Sequence, residues 1–487
     1  MSYTKQVVHG SFFYFIGAVL AAGIAYLTKL VLVRNLTVEE YGLFFSVFTF
    51  VLFFAVFREL GLSQGLARFI ADYNLKGKFG EIKSIIIGSA LIQLVVSLVV
   101  VGVMWLASSW LSVNYFKASE AKWLLRIVSF YLPLSVLHVN INSILQGTKS
   151  KWFSSVQFFL NGFVFLLVVV GLYIGLSIYS PALGYLGSFL GLALVLSYPV
   201  IKRINLKVKT KNFISENKKL VLFGLPLILT ASGALVISYF DTLMLTYFDT
   251  VFEVGIYNII YPTAMLISMI GASIGLILMP VVAELWEKKK KEDIKNAFII
   301  MYKYLSIIII PLIIVLMMFA EILIRIFFGT EYVFGTTAFK ILLIAAIFQI
   351  IVTINHQTLI AFKDSTKVMN LYVIGAIVNI LLNLILIPHY SLNGAAIATT
   401  LSFFIMTIIS FVYMYKKIKI NIPFKEILIV LITSVIIPLF AKITPLILPN
   451  INIYITTIIG TIIGIILCLV IYASKFINIK EVLRLLN

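Results

Sequence analysis

The sequence is poor in charge: only 12% of its 487 residues are Asp, Glu, Lys or Arg, whereas 62% are hydrophobic. A soluble domain carries about 25% charged residues. No polar stretch is long enough to form a separate soluble domain, and the apolar runs have the roughly 20 residues that a transmembrane helix needs. The short alternating segments of an outer-membrane barrel, about 10 residues each, are absent. The sequence therefore predicts an all-α integral membrane protein.

Cysteine and catalytic motifs are also scarce. Cys468 is the only cysteine, which excludes an intrachain disulfide. The sequence has no His-x-x-x-His pair, no P-loop, no Gly-x-Ser-x-Gly and no dinucleotide-binding fingerprint. A membrane glycan polymerase or ligase would need catalytic residues in a large outer loop, and every predicted outer loop is short. We therefore expect neither an enzyme nor a bound cofactor.

Acidic residues are half as frequent as basic ones, 19 against 38, which gives a net charge of +19. The basic residues cluster in alternate short loops, including 202–219 and 288–291, as the positive-inside rule requires. This pattern argues against nucleic-acid binding, and it predicts an even number of helices with both termini in the cytoplasm. About fourteen transmembrane helices are predicted, at 10–33, 41–71, 84–111, 123–146, 152–176, 179–201, 219–247, 254–284, 297–320, 337–361, 367–388, 393–416, 424–444 and 451–474.

The two halves of the chain resemble each other. Glu40-Tyr-Gly-Leu-Phe recurs 213 residues later as Glu253-Val-Gly-Ile-Tyr, and Leu145-Gln-Gly-Thr-Lys matches Leu359-Ile-Ala-Phe-Lys at an offset of 214. A unit of six helices has even parity, so both copies enter the membrane in the same sense. The sequence therefore predicts two pseudo-symmetric six-helix lobes, residues 1–205 and 206–420, and two further helices with a tail in 421–487.

Residues 28–72 carry charge where a bilayer disfavours it, because a charged side chain at the bilayer centre costs roughly 2.5–3.5 kcal/mol on insertion scales. Lys29 lies near the end of helix 1, and Arg58, Glu59 and Arg68 lie within helix 2. A charged cavity inside a transporter explains these residues. Two alternatives stay open: Lys29 reaches the interface by snorkelling, or helix 2 ends at Phe57 and leaves Arg58 and Glu59 at the cytoplasmic surface.

Further polar residues fall inside the predicted helices. Asn379 and Asn383 are four residues apart and share one face of helix 11. Asp241 in helix 7 is nearly equivalent to Lys29 under the repeat, so the two side chains are expected to approach each other across the pseudo-twofold axis. Hydrogen bonding between helices explains such residues without a substrate; as a set, they fit a polar cavity for a hydroxyl-rich ligand. The other members of the set are Asn140, Asn142, Gln146, Asn258, Gln349, Asn355, His356 and Gln357.

Several motifs resemble those of the polysaccharide flippases in the multidrug/oligosaccharidyl-lipid/polysaccharide (MOP) exporter superfamily. They are Asp241-Thr-Leu-Met-Leu with Glu253-Val-Gly-Ile-Tyr-Asn258, Asn379-Ile-Leu-Leu-Asn383 with Ile387-Pro388 and Gly394-Ala-Ala-Ile-Ala-Thr399, Arg34-Asn-Leu-Thr-Val-Glu-Glu40-Tyr-Gly42, and Gly61-Leu-Ser. The resemblance covers nearly the whole chain. It implies a MATE-like, V-shaped bundle of two six-helix lobes plus two helices.

The resemblance also implies a function. The protein is expected to move an isoprenoid-diphosphate-linked oligosaccharide, on a polyprenyl or dolichyl carrier, from the cytoplasmic to the outer leaflet of the plasma membrane by alternating access. Related flippases are thought to hold the diphosphate in a cationic cavity, a role that Lys29 and Arg58 fit. A monomer and contacts with membrane lipids are expected. Glu59 and Asp241 are candidate sites for coupling to an H⁺ or Na⁺ gradient, and their alternative role as partners in ion pairs stays open. The alternative is a MATE-like small-molecule or cation antiporter, although helix 1 lacks the acidic residue that those proteins commonly use.

Overall fold

The structure is a computed structural model that describes residues 3–59, 61–204, 208–448 and 452–476. Within these ranges the chain is helical and contains no strand, which confirms the all-α prediction. The helices are α1 (Tyr3–Asn35), α2 (Val38–Glu59), α3 (Leu62–Leu75), α4 (Phe79–Asn114), α5 (Ala121–Val128), α6 (Tyr131–Gly147), α7 (Val156–Tyr173), α8 (Ser180–Ile201), α9 (Phe213–Phe248), α10 (Val251–Met265), α11 (Met269–Glu287), α12 (Lys291–Met318), α13 (Ala320–Phe327), α14 (Thr336–Ala361), α15 (Ser365–Ile418), α16 (Phe424–Ser434), α17 (Ile436–Ile447) and α18 (Ile453–Phe476).

Eleven helical stretches in the described part of the chain are long and apolar enough to cross a bilayer. Large apolar side chains also stay exposed on the helices; Leu106 of α4, for example, exposes 89% of its surface. Contiguous exposed apolar surface marks an interaction site, and here the lipid is the partner. The protein is therefore a multi-pass membrane protein, while the predicted number of fourteen spans stays a prediction.

Several predicted helices are divided in the structure. The predicted helix 41–71 is two helices, because α2 ends at Glu59 and Gly61 has a φ of 66°, a left-handed conformation that glycine adopts without steric cost. Predicted helices 123–146, 254–284 and 424–444 also correspond to pairs of shorter helices. Conversely, predicted helices 11 and 12 lie within α15, where Ser391 at φ 52° interrupts the helical backbone.

Equivalent helices of the two repeat copies, α2 and α10, each begin with a Thr–Glu pair whose members are three residues apart. At the start of α2, Thr37 N–H donates to Glu40 Oε2 over 3.0 Å and Glu40 N–H donates to Thr37 Oγ1 over 3.2 Å. This is a capping box, which satisfies two backbone donors that a helix start leaves free. At the start of α10, 213 residues further on, Thr250 Oγ1 donates to the Glu253 carboxylate and accepts from Phe252 N–H. Equivalent residues therefore start equivalent helices.

These two helix starts also pack on each other. A Cβ added to Gly42 would lie 1.8 Å from the carbonyl oxygen of Val251, and one added to Gly255 would lie 2.3 Å from that of Val38. Both residue pairs are related by the 213-residue offset, so the contact is reciprocal, as across a local twofold axis. Only glycine permits this backbone approach. The contact supports the predicted parallel repeat.

The chain divides into two compact units. The first contains residues 1–263, 327–338 and 366–402; the second contains 264–326, 339–365 and 403–487. In the first, an apolar core joins α3, α4, α6 and α9 around Leu66, Ile85 and Leu220, and another joins α6, α7 and α8. In the second, Val430, Ile437 and Tyr472 join α16, α17 and α18. The predicted lobe boundaries stay a prediction, since residues 205–207 lie outside the described ranges.

Candidate functional site

Arg58 is a buried cation in the first unit. It lies in the last turn of α2 and exposes only 4% of its surface, so it is not at the protein surface. Its Nη1 donates to Gln93 Oε1 on α4 over 3.4 Å, and Gln93 Nε2 donates in turn to Ser89 Oγ over 2.9 Å. The Nε of Arg58 is buried and has no hydrogen-bond partner. A guanidinium has five donors, and the partner found here is a neutral amide.

None of the other charged residues of the predicted stretch is described as a hydrogen-bond partner of Arg58, although Glu59 follows it in sequence and lies within electrostatic range. Glu59 is half-buried and accepts a hydrogen bond from Ser63. Arg68 is exposed, and its guanidinium lies 4.7 Å from the ring centre of Phe223. Lys29 is half-buried with its Nζ 5.9 Å from the ring centre of Phe45. These contacts do not gather the four charges into one cluster, and their predicted roles in substrate binding stay predictions.

Asp241 is a buried carboxylate in the first unit, with an exposure of 2%. Its Oδ1 accepts hydrogen bonds from Asn379 Nδ2 over 3.1 Å and from Asn383 Nδ2 over 2.6 Å. Its Oδ2 accepts from Tyr257 over 2.6 Å and from Thr399 Oγ1. The carboxylate thus joins α9 to α10 and to both sides of the Ser391 break in α15.

This cluster brings together four of the sequence segments that carried the family resemblance, although Tyr257 and Thr399 were not predicted as site residues. Asn383 was predicted to share a face with Asn379, and its Nδ2 also donates to Asn379 Oδ1 over 3.1 Å. The Oδ1 of Asn383 is buried without a hydrogen-bond partner. Asn258 lies beside the cluster, where its Nδ2 donates to Thr242 Oγ1 over 3.3 Å. Lys29 is not among the partners of Asp241, so their approach in another conformation stays a prediction.

The remaining predicted residues make structural contacts. Asn140 donates to the Val136 carbonyl of its own helix over 2.9 Å, while its buried Oδ1 has no partner. In the second unit, Asn355 is fully buried, accepts from Tyr302 Oη over 2.6 Å and donates to Ser410 Oγ over 2.9 Å. This is the hydrogen bonding between helices that the sequence left open as an alternative. His356 follows on α14 and is half-buried.

Ionisable residues buried within a membrane bundle usually mark the path of a substrate or ion. In the described part of the chain, no group of three or more His, Cys, Asp or Glu side chains is placed to hold a metal ion. Instead, the buried cation Arg58 and the buried carboxylate Asp241 are each hydrogen-bonded to neutral polar groups. The fold and these sites define the protein as a multi-pass membrane transporter of the helical-bundle type.

Comparison with known families assigns the transporter more closely. A model of the polysaccharide biosynthesis protein family matches residues 7–286, more than half of the chain. The chain therefore belongs to this family. A second model, MatE, matches residues 226–385. Both matches confirm the predicted resemblance to the polysaccharide flippases of the MOP superfamily.

Two curated relatives are informative. The chain is 26% identical over 502 aligned residues to the uncharacterized membrane protein MJ1068 of Methanocaldococcus jannaschii, covering 99% of this chain and 98% of that protein. It is 23% identical over 263 residues to the probable low-salt glycan biosynthesis flippase Agl15 of Haloferax volcanii, covering 54% of each.

Solved structures share the fold. The lipid II flippase MurJ, in an inward closed conformation, matches with a TM-score of 0.77 and 16% identity over 96% of this chain and 99% of that one. A multidrug resistance MATE family transporter of the MOP superfamily, in an inward-facing conformation, matches with a TM-score of 0.69 and 17% identity over 81% and 94%. At these identities the likeness shows the fold alone. The relatives whose names give an activity are flippases or transporters rather than enzymes.

Proposed function

We propose that the protein is a flippase that carries an isoprenoid-diphosphate-linked oligosaccharide from the cytoplasmic to the outer leaflet by alternating access. The carrier is a polyprenyl or dolichyl diphosphate, and the glycan is used in polysaccharide or glycan biosynthesis. The protein acts as a monomer in the plasma membrane, with both termini in the cytoplasm. Membership of the polysaccharide biosynthesis family supports the class of substrate, as do the names of the relatives.

The burial of Arg58 beside a neutral hydrogen-bond partner is the single observation that best supports a diphosphate substrate. Burying a charge is costly unless it is paired and hydrogen-bonded, and the described contact of this guanidinium is with a neutral amide. A diphosphate would supply the missing negative charge. The planar fork of arginine binds two phosphate oxygens at once, and attraction between charges is stronger in a low-dielectric interior than in water.

Asp241 is the proposed site of the coupling ion, H⁺ or Na⁺. The carboxylate is surrounded by neutral groups, and the orphan Oδ1 of Asn383 lies on the same amide that donates to it. Carboxylate, amide and hydroxyl oxygens are the donors that hard cations take. These residues therefore fit a monovalent cation. Rotation of the Asn379 and Asn383 amides would turn their oxygens toward the carboxylate, so that they could bind the cation together with it. A proton on Asp241 would instead reverse a hydrogen bond to Tyr257 or Thr399.

The test of the flippase proposal is transport of a lipid-linked oligosaccharide by the purified protein in liposomes. Loss of charge-assisted hydrogen bonds, worth roughly 1.5–3 kcal/mol each, predicts that Arg58→Ala weakens substrate binding about 10- to 100-fold. Arg58→Lys is expected to recover part of the loss, because lysine keeps the charge but not the fork. Arg126→Ala is the matched control, since Arg126 lies on α5 against Trp105 and Trp123. Wild-type flipping by Arg58→Ala would contradict the proposal.

The alternative function is a MATE-like antiporter of small molecules or cations. The MatE match over residues 226–385 includes Asp241 and favours this alternative, but the sequence of α1 contains no acidic residue. Ion-driven efflux of a cationic dye from the same liposomes, without flipping of lipid-linked oligosaccharide, would establish the antiporter instead.

A further inference from the structure

A second polar site lies inside the first compact unit, and its lining residues differ from those that contact Arg58 and Asp241, although His138 lies within electrostatic range of Arg58. It is a cavity of about 340 Å³ between α1, α6, α7 and the 3-10 turn Lys151–Ser155. The cavity is at the lower end of the roughly 300–1,000 Å³ range of small-ligand pockets. Its lining residues are Ala21, Ala22, His138, Asn142, Phe153, Ser154, Gln157 and Asn161.

The walls of this cavity are polar but uncharged apart from the imidazole. Two of the amides are already organised, because Asn161 Nδ2 donates to the Ala21 carbonyl over 2.8 Å and Gln157 Nε2 donates to Asn161 Oδ1 over 3.1 Å. These bonds fix both side chains and leave Gln157 Oε1 available as an acceptor. Among the described lining residues there is no carboxylate, ammonium or guanidinium group, so the described walls offer hydrogen bonds rather than a countercharge.

His138 and Asn142 provide polar groups without a described hydrogen-bond partner. They are four residues apart and therefore share one face of α6. Within the part of the chain that the structure describes, neither side chain hydrogen-bonds to protein, although the imidazole ring lies 6.3 Å from that of Phe189. An imidazole and a carboxamide together offer donors and acceptors to the same ligand. Both side chains are half-buried, and a ligand that shields them further from water must replace the hydrogen bonds that water can make.

We propose that this cavity binds a neutral sugar residue of the transported glycan. The assignment rests on the proposed flippase function and adds a glycan subsite to it. Sugar hydroxyls both donate and accept, as do the amides and the imidazole. The turn beside the cavity begins at Lys151, just after Lys149. The positive-inside pattern predicts that this loop is cytoplasmic, and in the proposed function the substrate is loaded from the cytoplasmic side.

The test compares four probes on the full chain in nanodiscs by titration calorimetry. They are farnesyl diphosphate and farnesyl diphosphate bearing N-acetylglucosamine, glucose or galactose. The wild type is expected to bind at least one sugar-bearing probe about 10-fold more tightly than the bare one. This factor corresponds to about two hydrogen bonds between the sugar and the cavity. The double variant His138→Phe/Asn142→Leu should lose this preference and keep its affinity for farnesyl diphosphate. Gln157→Leu, at an exposed side chain, should reduce the preference without affecting folding.

Asn114→Leu is the matched control, because Asn114 is exposed and donates to the Trp110 carbonyl of its own helix; it should keep the wild-type preference. Equal binding of all probes by the wild type would overturn the glycan subsite and leave the flippase proposal standing. So would an undiminished preference in both cavity variants. Failure of the wild type to bind farnesyl diphosphate at all would overturn the flippase proposal, and this inference with it.

Discussion

Substitution of Asp241 separates two roles of this residue, the hydrogen bonds that it accepts and the charge that it carries. Four side chains from α10 and α15 donate to its carboxylate. Hydrogen bonds between membrane helices contribute about 0.6 kcal/mol on average and up to about 1.7 kcal/mol each. We therefore expect Asp241→Ala to lower the free energy of unfolding by roughly 2–6 kcal/mol, because the buried donors lose their acceptor.

Asp241→Asn should change the free energy of unfolding much less, because the groups around each carboxylate oxygen can still hydrogen-bond to an amide. The Oδ1 side receives two amide donors, Asn379 and Asn383, and an asparagine oxygen placed there still accepts both. The Oδ2 side receives the hydroxyls of Tyr257 and Thr399, which can rotate to accept from the new NH₂ group. The weaker hydrogen bonds are offset by the smaller desolvation cost of a neutral group. We expect a change within about 1 kcal/mol.

The measurement is equilibrium unfolding in mixed detergent micelles, with transport measured in parallel. Asp72→Ala is the control, because Asp72 forms an exposed ion pair with Lys76 at 2.8 Å, and such pairs contribute about 0–1 kcal/mol. Asp241→Asn should fold but no longer respond to an H⁺ or Na⁺ gradient. Wild-type stability of Asp241→Ala would refute the structural role of the network. Equal destabilisation by Asn and Ala would show that the charge, rather than the hydrogen-bond geometry, holds it together.

Two further predictions concern conformational change and topology. Gly42→Ala should separate α2 from α10 and reduce transport, because the added Cβ would lie 1.8 Å from the Val251 carbonyl oxygen, whereas Gly102→Ala, whose Cβ meets no atom within 4 Å, is the control; undiminished flipping by Gly42→Ala would show that this contact is not needed during the cycle. Single cysteines at the exposed positions Lys209 and Glu120 should react with an impermeant maleimide from opposite sides of the membrane, and labelling from one side only would refute the topology inferred from the lysine pattern.

The sequence predicts the class of fold because apolar length and charge placement are local properties. It also predicts the repeat, whose capping pairs and glycines recur at a constant offset. It does not predict the division of helix 2, although Gly61 is a helix-breaking signal within an apolar run, because apolar composition alone does not distinguish one long helix from two short ones.

The candidate sites were only partly predictable. Asn379 and Asn383 could be placed on one face of a helix from their spacing. Arg58 could be identified as a charged residue within an apolar segment. Their partners could not be identified, because Asp241 meets the two amides across 138 and 142 residues of sequence, and Gln93 meets Arg58 across 35. For Asn355 the sequence left two interpretations open, a cavity role and hydrogen bonding between helices; its described hydrogen bonds join helices within the second unit, and its cavity role stays a prediction.

Arg58 and Asp241 together suggest why the first unit keeps two buried charges of opposite sign. Each could lower its desolvation cost by pairing with an opposite charge, yet the described hydrogen bonds of each are with neutral groups: Gln93 for the arginine, and amides and hydroxyls for the carboxylate. Glu59, which lies within electrostatic range of Arg58, accepts its described hydrogen bond from Ser63 instead. Neutral partners hold a charge in place without cancelling it. The arginine can therefore still attract an anion and the carboxylate a cation, which an ion pair within the protein would prevent. This arrangement suits a transporter whose substrate carries a diphosphate and whose cycle is driven by a cation, because both countercharges then arrive with the transported species.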